Sequence, residues 1–517
     1  MLQITCNILF IATIIFGYRR LLYILKFVQQ QDYYNYRTWR FAYRQRNMID
    51  KRVTIPTLGT AIVFIYYPEP IVIIAAIMAI ILQIIREKNP TKGAILPLVK
   101  TARVKRLFWT AFILWIITVS SIVHIDMRLA MFIVPALAFF APVFIMVGNK
   151  LMQPVEWRLN RKFIIDAKKI LKKYSPIVIG ITGSYAKTSM KNILHHILGS
   201  VSTSLTTKRS INTLMGLVRT VREELNQPYK FFIAEMGMGG PGQLIKIIKL
   251  MNPKYAMIMS VGTKYFENFG SQDKIAREFF LLSKYIATHG GETMLNTELI
   301  APEFINKYAA QNDLIFESNQ VMDIKQTIDG ITFTIDYDDE QIELFAPVFG
   351  AHQAKNIAMA YIMARRLGVS SDSIVMALKT LPQTEHRLEL KREGGLVILD
   401  DSYNSNKAGF ISAMETGKEI KGTGRLIVIT PGMVSLGALH ARQHTDVGQV
   451  ANKLADIVIA INADRILDFT NQIAPDKLIT AASLKDAREW LAMHSKPGDI
   501  VLIENDLPDL YVEKISI

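Results

Sequence analysis

Two hydrophobic patterns divide the chain. Up to about residue 150, apolar positions come in long stretches: 2–16, 55–67, 71–85, 107–125 and 129–147. Several fall short of the roughly 20 residues that cross a bilayer. Tilt, or extension into flanking residues such as 21–25, makes up the length. Pro68-Glu69-Pro70 separates the second stretch from the third, and proline breaks a helix, so a tight hairpin is expected there. The pattern predicts five membrane spans. From residue 175 the apolar runs shorten and alternate with amphipathic segments. Strands are expected at 176–182, 231–234, 255–261, 396–399, 426–429, 457–461 and 500–503, with helices between. This alternation predicts parallel α/β sheets with helices on both faces. Residues 320–345 read instead as a small antiparallel insert with turns at Asp329-Gly330 and 336–340. The expected organisation is a multi-span region (1–150), a central α/β domain (151–346) and a C-terminal α/β domain (347–517).

Charge follows the same division. Residues 1–160 hold 19 Lys and Arg against 6 Asp and Glu, whereas the rest of the chain holds 41 against 39. A nucleic-acid binder would carry its basic patch on the folded domain. Here basicity flanks apolar segments, so it is topological, and no nucleic-acid partner is expected. The segments 26–52 and 86–106 carry seven basic residues each. Both belong on the cytoplasmic side by the positive-inside rule. Five spans with an external N terminus satisfy every loop and leave everything after Lys150 in the cytoplasm. The basic, aromatic run 33–46 suits the headgroup level and anionic lipids, although a plain topogenic loop explains it as well. A cleaved signal peptide fits residues 1–25 poorly, because no basic segment precedes the apolar run and Arg19-Arg20 follow it. The single cysteine, Cys6, lies in an apolar run, so no disulfide framework, zinc knuckle or cysteine nucleophile is available.

Gly183-Ser184-Tyr185-Ala186-Lys187-Thr188-Ser189 follows the first expected strand and opens a helix. Backbone N–H groups at such a helix start can cradle phosphate oxygens. Lysine adds a point charge for the outer phosphates, and the threonine hydroxyl can ligate Mg²⁺. Glu235 ends another strand, where sheet ligands and metals gather, and can hold Mg²⁺. The run Asp400-Asp401-Ser402-Tyr403-Asn404-Ser405-Asn406 offers carboxylates, a ring and amides suited to a nucleoside; an ordinary Asn-rich turn has the same composition. His195 and His196 have no carboxylate or cysteine at metal spacing and read as structural.

Taken together, these segments resemble the Mur ligases, the MurF branch most. The family's phosphate loop T-G-x-x-G-K-T/S is similar to Thr182 through Thr188. Its N-N-x-x-G resembles Asn212 through Gly216, and its E-x-G-x-x-x-P-G resembles Glu235 through Gly242. The segments from Val261 to Ser271, from Gly350 to Asn356, from His386 to Glu389, from Asp400 to Lys407 and from His444 to Gly448 follow the family's later motifs in order. The resemblance implies a P-loop-type central domain and a Rossmann-like C-terminal domain, which follow the α-helical membrane region read from the apolar stretches. It implies ATP and Mg²⁺ as cofactors. Gly183, Ser184, Tyr185, Ala186, Lys187, Thr188 and Ser189 would embrace the phosphates, and Thr188 and Glu235 would hold the metal. Asn356 would touch the adenine. Arg387 and Asp401 would grip phosphate and ribose, with Tyr403 and Asn404 near the base. Lys187, Glu235 and Arg387 would be the catalytic groups. The implied reaction activates a carboxylate as an acyl phosphate, which an amine then attacks to give an amide, ADP and phosphate.

Departures from the family pattern sharpen the expectation. Ala186 stands where the loop has glycine, so its backbone is expected to avoid the conformation that alanine disfavours. Tyr265 replaces a histidine near a second metal, and Phe279 replaces a lysine that becomes carbamylated to bind Mg²⁺. Glu278 could substitute only through a shift of helical register. These changes open a second reading, a catalytically degenerate ATP-binding, Mur-ligase-like membrane scaffold or regulator. Membrane spans stand where the family's UDP-sugar-binding domain would be. The expected partners are therefore an amino-acid or dipeptide amine donor, a carboxylate-bearing cell-wall precursor that is UDP-linked or lipid-linked, and membrane lipids. An ATP-driven transporter is disfavoured, because the spans lack the charges that mark a conduction path.

Overall fold

A computed structural model describes the chain from residue 2 to 504, except residues 31–32, 36–37, 40–58, 60–61, 64–69, 88, 92–96, 126–132, 134–136, 138–139, 264, 404, 435 and 437–438. Two compact units meet in sequence at Arg161 and Lys162.

The first unit is helical. Its long elements are Leu2–Gln30, Pro70–Arg86, Ala102–Ile125 and the first part of Ala141–Tyr174. Among the described residues two helices, Asn7–Gln30 and Ala102–Ile125, are long and apolar enough to cross a membrane. A third, Ile71–Arg86, is apolar but shorter. The span expected at 55–67, the hairpin at Pro68-Glu69-Pro70 and much of the span at 129–147 lie outside the described residues. The first helix continues through Lys26, expected in a loop, to Gln30. Lys26 is buried, its ammonium 4.7 Å from the centre of the Phe27 ring. Arg20 is buried too, paired with Glu87 at 2.9 Å. On the outer faces Ile4, Ile8, Ile11 and Ile15, and again Trp109, Ile113 and Ile117, remain exposed at helical spacing.

The second unit begins in the polar end of helix Ala141–Tyr174 and holds three sheets. The first contains β1 (Ile177–Thr182), β2 (Ser204–Thr206), β3 (Phe231–Glu235), β4 (Tyr255–Ile258), β5 (Glu292–Asn296) and β6 (Leu314–Phe316). All pairs are parallel, in the order β2-β3-β1-β4-β5-β6. Successive side chains of a strand alternate between faces. Ile179, Ile181, Phe231 and Ile233 therefore pack with helices Lys187–Val201 and Ala351–Arg366. Val178, Phe232 and Ala234 pack on the other side with Leu214–Glu224, Leu244–Met251 and Gln272–Ala287. The expected antiparallel insert is β7 (Val321–Thr327), β8 (Gly330–Tyr337) and β9 (Glu340–Ala346). The β8–β9 turn is Asp338-Asp339, both at positive φ (58° and 61°), as a two-residue hairpin of matching twist requires.

The last sheet contains β10 (Glu389–Glu393), β11 (Leu396–Asp401), β12 (Leu426–Thr430), β13 (Ile457–Ile461), β14 (Leu478–Ala481) and β15 (Ile500–Glu504). Its order is β10-β11-β15-β12-β13-β14, parallel except for the antiparallel edge strand β10. In the first sheet the chain leaves β1 toward β3 and β2, and leaves β4 toward β5 and β6. The crevice between the ends of β1 and β4 is thus the topological switch point, where open parallel sheets bind ligands.

Candidate active site

The loop at that switch point is pinned from below. Ser184 N–H donates to the Ser260 carbonyl at 3.1 Å, and Tyr185 N–H donates to Ser260 Oγ at 2.7 Å. Gly262 N–H donates to Ser184 Oγ at 2.9 Å. Gly183 has φ 138°, and a Cβ there would stand 2.8 Å from the Ser260 nitrogen, so this close approach needs glycine. Ala186 contradicts its sequence expectation. It adopts the left-handed conformation, with φ 63° and ψ −5°, immediately before the helix. The clamp on Ser260 fixes the path of the loop, and the helix must start at Lys187. Ala186 therefore bears a strain of about 1–2 kcal/mol that glycine would not.

Lys187 turns back over the loop and donates to the carbonyls of Gly183 and Ser184. Burial lowers its pKa to about 8, opposed by Glu235 and reinforced by Arg387. Thr188 Oγ1 donates to Glu235 Oε2 at 2.9 Å, and Asn212 Nδ2 donates to Glu235 Oε1 at 2.8 Å. Glu235 is buried at the end of β3. One carboxylate and one hydroxyl thus lie together at the phosphate-loop helix, oxygen donors of the kind a hard divalent cation takes. Lys191, which the sequence reading passed over, stands one helical turn beyond Lys187. Its ammonium bonds to the Thr207 and Arg209 carbonyls and lies 3.9 Å from Glu235. Its i+4 spacing from Lys187 was the available signal.

A cavity of about 740 Å³ opens above the loop. Ser184 through Ser189, Asn356, Arg387, Asp401 and Tyr403 all line it; Gly183 supports it from the strand end. Asn404 lies outside the described residues. Asn356 is buried and donates to Gln353 Oε1 at 3.2 Å. The Arg387 guanidinium lies over the Tyr403 ring, 4.6 Å from its centre, and burial lowers its pKa. Asp401 accepts from Leu388 N–H at 3.1 Å, and burial raises its carboxyl to about 6. His352 reaches Ser412 Oγ at 3.1 Å; burial, with Lys355 and Arg387 nearby, lowers its pKa to about 4.

The residues at the family's second metal position do not fit a cation. Tyr265 and Phe279 form an edge-to-face pair 6.2 Å apart. Phe279 is buried in the apolar core, and burial raises the Tyr265 phenol well above its ordinary range, so it stays neutral. Glu278 does not substitute. Its Oε1 accepts from Leu244 N–H at 3.3 Å, at the start of a neighbouring helix. His195 and His196 are structural as expected, bonded to Ser204 Oγ and to the Ala377 carbonyl.

Strand, glycine loop and helix, with Lys187 and Thr188 facing Glu235, define a phosphate-loop nucleotide site overhung by a second α/β domain. The chain belongs to the Mur ligase family: residues 181–364 match the Mur ligase middle domain, and residues 386–504 match the Mur ligase, glutamate ligase domain. Enzymes of this family are ATP-dependent ligases that form peptide bonds, and this chain is of that class. It is 28% identical over 356 residues to the UDP-N-acetylmuramoyl-tripeptide--D-alanyl-D-alanine ligase of Bacillus subtilis (strain 168), covering 65% of this chain and 75% of that protein. The protein of that name from Mycobacterium tuberculosis (strain ATCC 25618 / H37Rv) is 25% identical over 359 residues, with coverages of 63% and 70%. The fold also matches the crystal structure of MurF ligase from Thermotoga maritima in complex with ADP, at a TM-score of 0.61 and 20% identity, covering 69% of this chain and 82% of that one.

Proposed function

We propose that this Mur ligase is anchored in the cell membrane and joins an amine to a carboxylate-bearing precursor of the cell envelope on the cytoplasmic side. The observation that carries the chemistry is the convergence of Lys187, Thr188, Glu235 and Arg387 on one cavity. ATP fits it with its phosphates on the loop amides and Lys187. Its base and ribose lie toward Asn356, Asp401 and Tyr403. Mg²⁺, held by Thr188 and Glu235, would neutralise phosphate charge. Arg387 faces the phosphates from the C-terminal domain, which excludes water from the reacting group. The precursor's carboxylate attacks the γ-phosphorus and ADP leaves. The amine then attacks the acyl carbon, phosphate leaves, and the nitrogen gives up its proton. Fixed cations around the transferring phosphoryl group stabilise charge as it develops.

Support for the anchor comes from the first unit. Its two long apolar helices keep rows of large apolar side chains exposed, which water disfavours and lipid accepts. The relatives named above are ligases for a UDP-N-acetylmuramoyl-tripeptide and D-alanyl-D-alanine. An anchored enzyme stands beside lipid-linked precursors, so we place its carboxylate substrate there, with D-alanyl-D-alanine or a related amine as second substrate.

Detergent-purified protein should release phosphate from ATP and Mg²⁺ only when a precursor and an amine are both present, and Lys187→Ala should abolish release. Preferential use of the UDP-linked over the lipid-linked precursor would remove the lipid assignment. ATP binding without release under any combination would favour the scaffold reading that Tyr265 and Phe279 open.

A further inference from the structure

At the rim of the same cavity, β11 and β15 end side by side, and register pairs Asp401 with Glu504. Glu504 is fully buried. Its Oε1 accepts from Ser405 Oγ. No N–H or O–H donor among the described residues reaches its Oε2. The Asp401 carboxyl stands in hydrogen-bonding position to the Glu504 carboxyl. A buried carboxylate and a half-buried one side by side cannot both ionise without a large repulsion, and a proton between them satisfies both.

We propose that Glu504 is a positioning residue of the nucleotide site: it holds Asp401 through one shared proton and so fixes the charge that Arg387 meets. The inference rests on the ATP reading above. With the proton in place the pair carries one negative charge opposite one guanidinium. Asp401 then keeps its bond to Leu388 N–H, and the segment carrying Arg387 stays in register with the cavity. Without the proton the pair carries two charges, which draw Arg387 back from the phosphates.

Burial raises both carboxyls, Asp401 to about 6 and Glu504 well above its ordinary value. Arg387 and Asp400 are the charged groups acting on the pair from the adjoining segments. Asp400 is itself held by Lys391 at 2.5 Å and His386 at 2.8 Å. β12 ends beside β15 in Thr430, which does not titrate. Helix Lys407–Ile420 packs Phe410, Ala413 and Met414 in this core, and its Lys407 pairs with Asp446 at 2.6 Å.

The test measures affinity for Mg²⁺ and a non-hydrolysable ATP analogue from about pH 6 to about pH 9, the range of a raised carboxyl. Full-length wild type, Glu504→Gln and Glu504→Ala are compared, with thermal melts to confirm folding. The amide introduced by Glu504→Gln would donate to Asp401 and accept from Ser405 without needing a proton. Glu504→Gln should therefore keep wild-type affinity near neutrality and show a shallower alkaline loss. Glu504→Ala should bind about tenfold more weakly throughout, the loss of one bond to a charged group. Lys187 gives an alkaline decline common to all three proteins, so the difference between wild type and Glu504→Gln is the readout. Superimposable profiles for those two, or wild-type affinity in a folded Glu504→Ala, would overturn the proposal. Failure of the wild type to bind the analogue at any pH would instead sink the ATP reading, and this inference with it.

Discussion

Thr188 Oγ1 donates to Glu235 Oε2 at 2.9 Å, tying the first turn of the phosphate-loop helix to the end of β3. Behind that bond stands the Lys191 ammonium, 3.9 Å from the same oxygen and buried. Removing Glu235 thus does two things. Glu235→Ala leaves a buried cation without its counter-charge, which costs about 3–5 kcal/mol and should appear as a lower melting temperature. Glu235→Gln keeps the shape and an acceptor for Asn212 but removes the same counter-charge from Lys191. It should therefore also melt below wild type, by less than Glu235→Ala, while losing about 10²–10³-fold in turnover, the scale of one lost electrostatic stabiliser. A Gln variant with wild-type turnover would remove Glu235 from the metal-binding set.

Ala186→Gly should be tolerated or stabilising. Glycine at φ 63° removes the left-handed strain, offset by the greater freedom of the unfolded chain. A rise of up to about 1 kcal/mol in unfolding free energy is expected, with turnover retained. A clear loss of stability on denaturant titration would show that the methyl group packs better than the backbone suffers.

Lys187 gives a proton-linkage prediction. Its pKa is lowered to about 8 by burial, so near pH 8.5 much of it is neutral before nucleotide arrives. Phosphate oxygens favour the ammonium and raise that pKa again. Nucleotide binding near that pH should therefore take up a proton, measurable by calorimetry in buffers of different ionisation enthalpy. Lys187→Arg should abolish the uptake, because guanidinium remains charged.

Tyr265 and Phe279 predict a metal count. With a non-hydrolysable ATP analogue, Mn²⁺ titration followed by electron paramagnetic resonance should saturate at one ion per chain. Two tightly bound ions would refute the loss of the second site. Phe279→Lys alone should destabilise the unit by several kcal/mol, since it buries a charge among apolar neighbours (about 2–7 kcal/mol even for an uncharged polar group).

His444 predicts acid sensitivity. Met433 N–H donates to its Nε2 at 3.0 Å, and Nδ1 bonds to the His440 carbonyl at 2.9 Å, which fixes the neutral tautomer. Burial lowers its pKa to about 4, and His352 is lowered to a similar value. For a histidine with a depressed folded pKa, the stabilising contribution is present above the unfolded value of about 6.5 and is lost as pH falls toward the folded one. Unfolding free energy should therefore drop between about pH 6.5 and about pH 4, by roughly 3 kcal/mol per histidine. His444→Phe should flatten this acid limb and lower stability at neutral pH, since Met433 N–H loses its acceptor.

The order of strands and helices in the second unit was legible because each buried strand is a short β-branched run and each helix has an amphipathic repeat. Val178 and Ile179 announce β1, and Asp338-Asp339 announces a hairpin turn. The phosphate loop was legible too, because its chemistry is local: seven consecutive residues supply the amides, the lysine and the hydroxyl. The sequence by itself therefore determined the parallel α/β architecture, the nucleotide site and the family. It could not determine sheet order, because strands far apart in the chain choose neighbours by packing. That choice sets Ser260 under the loop, forces Ala186 into a left-handed turn, and stands Glu504 beside Asp401 across a separation of about a hundred residues. It also turned Glu278 toward the Leu244 amide and left Tyr265 and Phe279 edge to face where a cation would sit. Burial and charge pairing are properties of neighbours in space, so only the tertiary structure decided which carboxylates share a proton and which lysine stands behind Glu235.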